Sequence, residues 1–303
     1  MKVFLVTAIR FIAVTILYFG CFAVVSGALL SGAAEQPSPA DAANALLALL
    51  AVSLINAAVW TYLILRSRWS SWKLILTIML LFFGVSTLMP QIETAYFITR
   101  LPPGMLPRLF IAGIIIAAVF APLAVLILGK AKPLADKTPG DSGLKRSVGE
   151  WTVGEWILKL SLIVVAYLLI YFTFGYFIAW KNPAVRAYYG GNEPSSFLAH
   201  VASLLRAEPA LFLLQAVRAL LWTAIAVPVI RMMRGAWWES GLAVALLFAV
   251  MTSQLLLPNP LMPAEVRMVH LVETATSNFL FGWLVVLIYD WTISSMLPAG
   301  SRT

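Results

Sequence analysis

Eight apolar runs, set apart by short polar or proline-rich stretches, constrain this chain more than anything else in it. They are Phe4–Leu30, Ala43–Leu65, Trp72–Met89, Leu106–Leu128, Trp156–Trp180, Ala210–Ile230, Gly241–Leu257 and Met268–Tyr289. About 20 apolar residues in a row span a bilayer as a helix. Lipid offers the backbone no hydrogen-bond partners, so the helix must satisfy its own groups. The fold class expected is therefore an all-α, polytopic membrane bundle of about eight transmembrane helices.

Composition narrows this further. Hydrophobic residues make up 61% of the chain and charged residues 11%. A soluble domain carries about 25% charged residues, so a soluble fold is excluded, and the chain is too apolar for disorder. The net charge of +8 does not indicate nucleic acid, because the basic residues sit between the apolar runs, where topology requires them. The lone cysteine, Cys21, lies inside a run and cannot form an internal disulfide.

Lys2 and the first run, followed by the small residues Ser31-Gly32-Ala33-Ala34, have elements of a signal peptide. The run is too long for a signal core and reads as an uncleaved first span. Arg100, Arg108, Lys181, Arg186, Arg206 and Arg267 fall on one side of the expected topology and Arg218 within a span. The rest of the 21 Lys and Arg fall on the other side. The positive-inside rule then places both termini in the cytoplasm of a plasma (inner) membrane.

The segment Gly129–Glu155 reads as a cytoplasmic linker. It divides the chain into an N-terminal four-helix half (1–129), the linker (130–155) and a C-terminal four-helix half (156–303). A small tandem closes it, Val148-Gly149-Glu150-Trp151 and Val153-Gly154-Glu155-Trp156, with tryptophans suited to the interface. The halves resemble each other weakly. Trp60-Thr61 matches Trp222-Thr223, Arg66 matches Arg231, Trp72 matches Trp237, Leu80-Leu81-Phe82 matches Leu246-Leu247-Phe248, and Ser86-Thr87 matches Thr252-Ser253. Two tandem repeats of four helices are expected, with shared sites between them.

On the outer side, Lys181–Glu208 is the longest loop. Phe197, Leu198, Val201, Leu204 and Leu205 recur at helical spacing after Ser195 and Ser196, either of which can cap a helix. An amphipathic helix lying on the outer interface is expected; a lid over a site is the sharper alternative.

Charge within a span is costly and usually faces protein. Arg218 lies mid-span and requires an acidic or carbonyl partner. The last span opens after Pro258-Asn259-Pro260-Leu261-Met262-Pro263 with Arg267, His270, Glu273, Thr274, Ser277 and Asn278 on one helix face. His270 and Glu273, one turn apart, can share a proton. An Arg218–Glu273 contact is expected from their depths. Glu93, just past Pro90, stands on a separate short helix, Ile92–Leu101, stopped by Pro102-Pro103-Gly104.

Catalytic and cofactor patterns are absent. There is no His-Glu-x-x-His, Gly-x-Ser-x-Gly or phosphate loop. His270, Glu273 and Glu93 are too few for a confident metal site, His200 and His270 give no strong case for haem, and no cofactor is expected. The reading favoured is transport or binding of a small ligand or ion at an intramembrane polar site formed by Arg218, His270, Glu273, Asn278 and Glu93, near the outer leaflet. The alternatives are a membrane-embedded enzyme acting on a lipid-like substrate and a structural or assembly subunit of a membrane complex. The partners expected are the bilayer, a small molecule or ion and, under the last alternative, another membrane protein.

Overall fold

The structure, a computed structural model, describes residues 2–30, 39–98, 101–133, 152–193, 195–259 and 261–291. All eight expected spans are helical, long and apolar enough to cross a bilayer. In chain order the first five are α1 (Phe4–Leu29), α2 (Asp41–Arg66), α3 (Ser71–Phe97), α4 (Met105–Ile127) and α5 (Val153–Trp180). Two short helices follow, α6 (Pro183–Tyr189) and α7 (Phe197–Ala207). The last three spans are α8 (Pro209–Met232), α9 (Trp237–Leu256) and α10 (Ala264–Asp290). The chain is thus a polytopic membrane helix bundle. Its outward side chains, such as Leu50, Leu54, Leu123, Leu169 and Leu213, are exposed and apolar, as lipid contact demands.

Two boundaries differ from expectation for identifiable reasons. The third span does not end at Met89, and no separate helix starts at Ile92. Helix α3 widens into a π turn over Gly84–Leu88, where the Met89 N–H reaches Gly84 O, and then continues as α-helix to Phe97. Pro90 has no N–H to give the Ser86 carbonyl four residues earlier. Gln254 of α9 donates to that carbonyl instead, Nε2 to O at 3.1 Å. The proline therefore does not break the span, and Glu93 stays on it. The fifth span starts at Val153 rather than Trp156 because Thr152 and Glu155 form a capping box. The first tandem copy of the Val-Gly-Glu-Trp motif, most of the linker and the small-residue run after α1 lie outside the described residues.

Within the first four spans, α1 packs on α2 and α4, and α4 packs on α3. Within the last four, α5 packs on α8 and α10, and α10 packs on α9. Hydrophobic burial gives no drive between helices in lipid, so close approach and dispersion must hold them. Gly113 lets α4 approach α3, where an added Cβ would fall 2.1 Å from Thr87 Oγ1. Gly282 lets α10 lie against the α9 backbone, 2.6 Å from Ala245 Cα by the same measure.

Each group of four has an aromatic centre built from one residue per span. In the first group Tyr18, Trp60, Phe82 and Phe120 come from α1 to α4. Trp60–Phe82, Phe82–Phe120 and Tyr18–Phe120 have ring centroids 5.3, 5.0 and 5.6 Å apart. In the second group Tyr167, Trp222, Phe248 and Phe281 come from α5, α8, α9 and α10. Tyr167–Phe281, Trp222–Phe248 and Phe248–Phe281 are 4.7, 4.3 and 6.0 Å apart. All eight rings are buried.

The two groups meet at the basic end of the bundle through a reciprocal backbone bridge. Ser67 lies opposite Met233, Arg68 N donates to Met232 O at 2.7 Å, and Arg234 N donates to Arg66 O at 3.0 Å. Lys130 closes the junction with a 2.6 Å bond to Ser67 O. Arg66 also pairs with Glu239 across the groups.

Candidate functional site

Polar side chains gather at the opposite end of the bundle, beneath α6 and α7. Arg218 projects from the α8 face that also carries Gln215 and Trp222, spaced to fall on one stripe. It is almost wholly buried, with 2% of its side chain accessible. Its carboxylate partner is Glu93 of α3, through Nη1 and Oε1. The contact expected with Glu273 is thereby corrected. The continuous helix through Pro90 carries Glu93 into reach, whereas Glu273 is engaged by its neighbour one turn back. The same Nη1 donates to Gln215 Oε1 at 2.7 Å, and the guanidinium lies over the Tyr167 ring at 5.9 Å. Arg218 Nε and Gln215 Nε2 are buried without an acceptor among the described residues.

The second acid–base pair lies on α10. His270 Nδ1 meets Glu273 Oε2 at 2.7 Å, the one-turn pairing that their spacing predicts. Carboxylate oxygens only accept, so with Glu273 ionised Nδ1 carries the proton. His270 Nε2 is 3.3 Å from the Tyr189 hydroxyl at the end of α6. Glu273 also faces the widened turn Gly175–Trp180 that ends α5; a Cβ on Gly175 would sit 3.6 Å from Oε1. Tyr167 and Tyr171 of α5 lie within electrostatic reach of Glu93, Arg218 and Glu273, and His270 within reach of Glu93. The two pairs therefore form one electrostatic neighbourhood. Accessibility grades across it, from Arg218 at 2% through Glu273 at 13% and His270 at 20% to Glu93 at 30%.

Local sequence explains how α6 reaches the pair. The Asn182 side chain caps the helix by accepting from Ala184 N and Val185 N, Pro183 occupies the first turn, and Gly190 ends it at φ 71°. Val185 packs with Ala179 and Val266, and Tyr188 donates to Leu261 O at 2.7 Å. Burial, then Tyr188 and the Glu93 and Glu273 carboxylates, hold the Tyr189 phenol above its ordinary pKa. It therefore remains a hydroxyl at any ordinary pH.

Other members of the expected polar stripe serve elsewhere. Asn278 does not join the cluster: its Nδ2 donates to Phe248 O at 3.2 Å, tying α10 to α9. Arg267 donates to the carbonyls of Leu255 and Leu257, which end the 3-10 turn Met251–Leu256. The expected amphipathic helix is present as α7. Ser196 stands at its N-cap without a side-chain bond, while the Ser195 carbonyl accepts from Tyr176 Oη at 2.5 Å. His200 lies against Tyr176 and Trp180, 5.5 and 5.8 Å between centroids, and burial lowers its pKa.

No three His, Cys, Asp or Glu among the described residues are grouped to hold a metal. An open groove of about 540 Å³ is lined by Trp237, Leu287, Ile288, Asp290 and Trp291. It lies at the far end of α10, 17 residues from Glu273 and so about 25 Å along the helix, and does not serve the cluster. Tyr167, Tyr171, Gln215 and Tyr189 are the site's additions to the expected set. Gln215 was legible, one turn before Arg218 on the same face; the tyrosines carried no signal beyond ordinary aromatic positions. Comparison with protein-family models, curated proteins and solved structures gives no match.

Proposed function

We propose that this membrane protein binds, and moves across the bilayer, a small ligand or ion at the Glu93–Arg218–His270–Glu273 cluster. One observation carries the reading. Two carboxylates, from α3 and α10, share a neighbourhood with one permanent cation, Arg218. The remaining group, His270, is the side chain best suited to change charge near neutrality. The cluster is balanced when one further positive charge is present and acidic when it is not. A purely structural lock would pair every charge permanently, as Arg267 is paired with backbone carbonyls.

The halves are proposed to be tandem copies related by an axis along the membrane normal. The matching aromatic centres, the repeated packing order and the reciprocal bridge at Ser67 and Met233 support this. The charge distribution favours the basic end as cytoplasmic, with α6, α7 and the cluster toward the outer leaflet.

The test uses purified protein in liposomes on a solid-supported membrane. Rapid jumps of proton, sodium, potassium and small-anion concentration are applied and the displaced charge is recorded. At least one jump is expected to displace charge in the wild type and none in Glu273→Gln. Equal signals in both, or no signal with any ion, would overturn the reading.

A further inference from the structure

The Tyr189–His270–Glu273 chain has an order that the polar cluster alone does not require. Tyr189 stands on a short helix outside the spans, His270 in the first turns of α10, and Glu273 one turn deeper. The contacts run hydroxyl to Nε2 at 3.3 Å and Nδ1 to carboxylate at 2.7 Å. The imidazole thus bridges two oxygen groups with its two nitrogens. We infer that Tyr189 and His270 form a proton relay that carries protons from the α6 side of the bundle to Glu273. This deepens the proposed function by naming the ion, and it rests on that reading.

Each step balances. A proton arriving from water binds the Tyr189 hydroxyl oxygen as that hydroxyl passes its own proton to His270 Nε2. The resulting imidazolium gives the Nδ1 proton to Glu273, whose carboxylate becomes a carboxylic acid. Tyr189 is unchanged and His270 is left as the neutral Nε2–H tautomer; uptake of one proton from water at Nδ1 and release of the Nε2 proton to water restore the starting form. The hydroxyl suits this role because its environment opposes ionisation, so it passes protons on without holding a negative charge.

The surroundings fit the direction. Tyr189 faces the His270–Glu273 pair from α6, Glu93 from α3 and Tyr167 and Tyr171 from α5, with Arg218 of α8 paired to Glu93. The nearby turn of α9, Met251–Leu256, contributes no titratable side chain. On α10 itself, Arg267 is turned toward the Leu255 and Leu257 carbonyls. The carboxylates draw a proton inward, while the Arg186 guanidinium of α6 is turned toward the Trp180 and Lys181 carbonyls. Packing of Trp180 against Tyr189, 6.2 Å between centroids, holds the phenol over the imidazole.

The experiment separates the relay from the reading it rests on. Proton jumps are applied to the reconstituted full chain, and both total displaced charge and its rate are recorded. Tyr189→Phe keeps the ring packing and removes only the hydroxyl. It is expected to slow proton uptake about 100-fold, the lower end of the range for loss of a positioned acid–base group, and to leave the total charge unchanged. His270→Ala is expected to be slowed likewise and restored by imidazole in the outer buffer. Wild-type rates in Tyr189→Phe, or no rescue of His270→Ala, would overturn the relay while Glu273-dependent charge movement still upheld the site. Charge moved by another ion but not by protons would also overturn the relay alone. If no ion displaces charge, both fall.

Discussion

The two halves of the bundle share a plan and differ in charge. In each, four spans bring a Tyr, a Trp and two Phe to one centre. One turn before Trp60 stands Asn56, and one turn before Trp222 stands Arg218. Both residues are buried and both reach into the other half: Asn56 Nδ2 donates to Ser253 Oγ on α9 at 2.9 Å, and Arg218 pairs with Glu93 on α3. The same crossing contact is neutral in one place and ionic in the other. Two turns before Phe281 stands Glu273, where Phe120 is preceded by Ala112; a further turn back His270 stands where the first half has Leu109. Three of the four ionisable residues of the proposed site, Arg218, His270 and Glu273, stand on the second half, and Glu93 joins them from the first.

The comparison can be broken at the level of packing first. Phe82→Ala and Phe248→Ala each remove a buried ring from an equivalent centre and are each expected to cost about 3–5 kcal/mol, within about 1 kcal/mol of each other. Reversible unfolding in mixed micelles measures both; a large difference would mean that the centres are not equivalent. The crossing contacts come next. Glu93→Gln leaves Arg218 buried without a counter-charge and is expected to cost on the order of 3 kcal/mol. Asn56→Ala is expected to cost about 1 kcal/mol. Equal costs would erase the proposed contrast between the halves.

The smallest effect concerns the junction. Burial, and then Arg234, hold the Lys130 ammonium down at about 8 from its ordinary 10.5. Between these values the unfolded chain binds the proton and the folded chain does not. Stability should therefore rise with pH from about 8 to 10.5. Lys130→Met should flatten that rise in a pH series of unfolding curves. A wild-type stability that falls over the same window would contradict the placement of Lys130 between the halves.

Much of this was legible in the residues. The eight spans follow from run length and lipid physics, and the one-turn spacing of His270 and Glu273 gave their pairing. What was not legible depended on packing between distant segments. Pro90 signals a break, and only the π turn before it, with Gln254 of α9 bonded to Ser86 O, explains why α3 continues and delivers Glu93 to Arg218. Depth along isolated helices suggested Glu273 instead, because it ignores which helices touch. Asn278 shares a face with Glu273 in sequence, yet α9 lies close enough for the Phe248 carbonyl to claim it. Tyr189 sits in a loop whose only helical marks are Asn182-Pro183 and Gly190, signals for so short a helix that its reach over His270 is a tertiary result.

The most direct measurement is the charge displaced by a proton jump in wild type and in Glu273→Gln, both reconstituted and both shown to be folded. A transient in the wild type that is absent from Glu273→Gln is expected if the Glu93–Arg218–His270–Glu273 cluster is where the protein exchanges charge. Transients of equal size in both would contradict it.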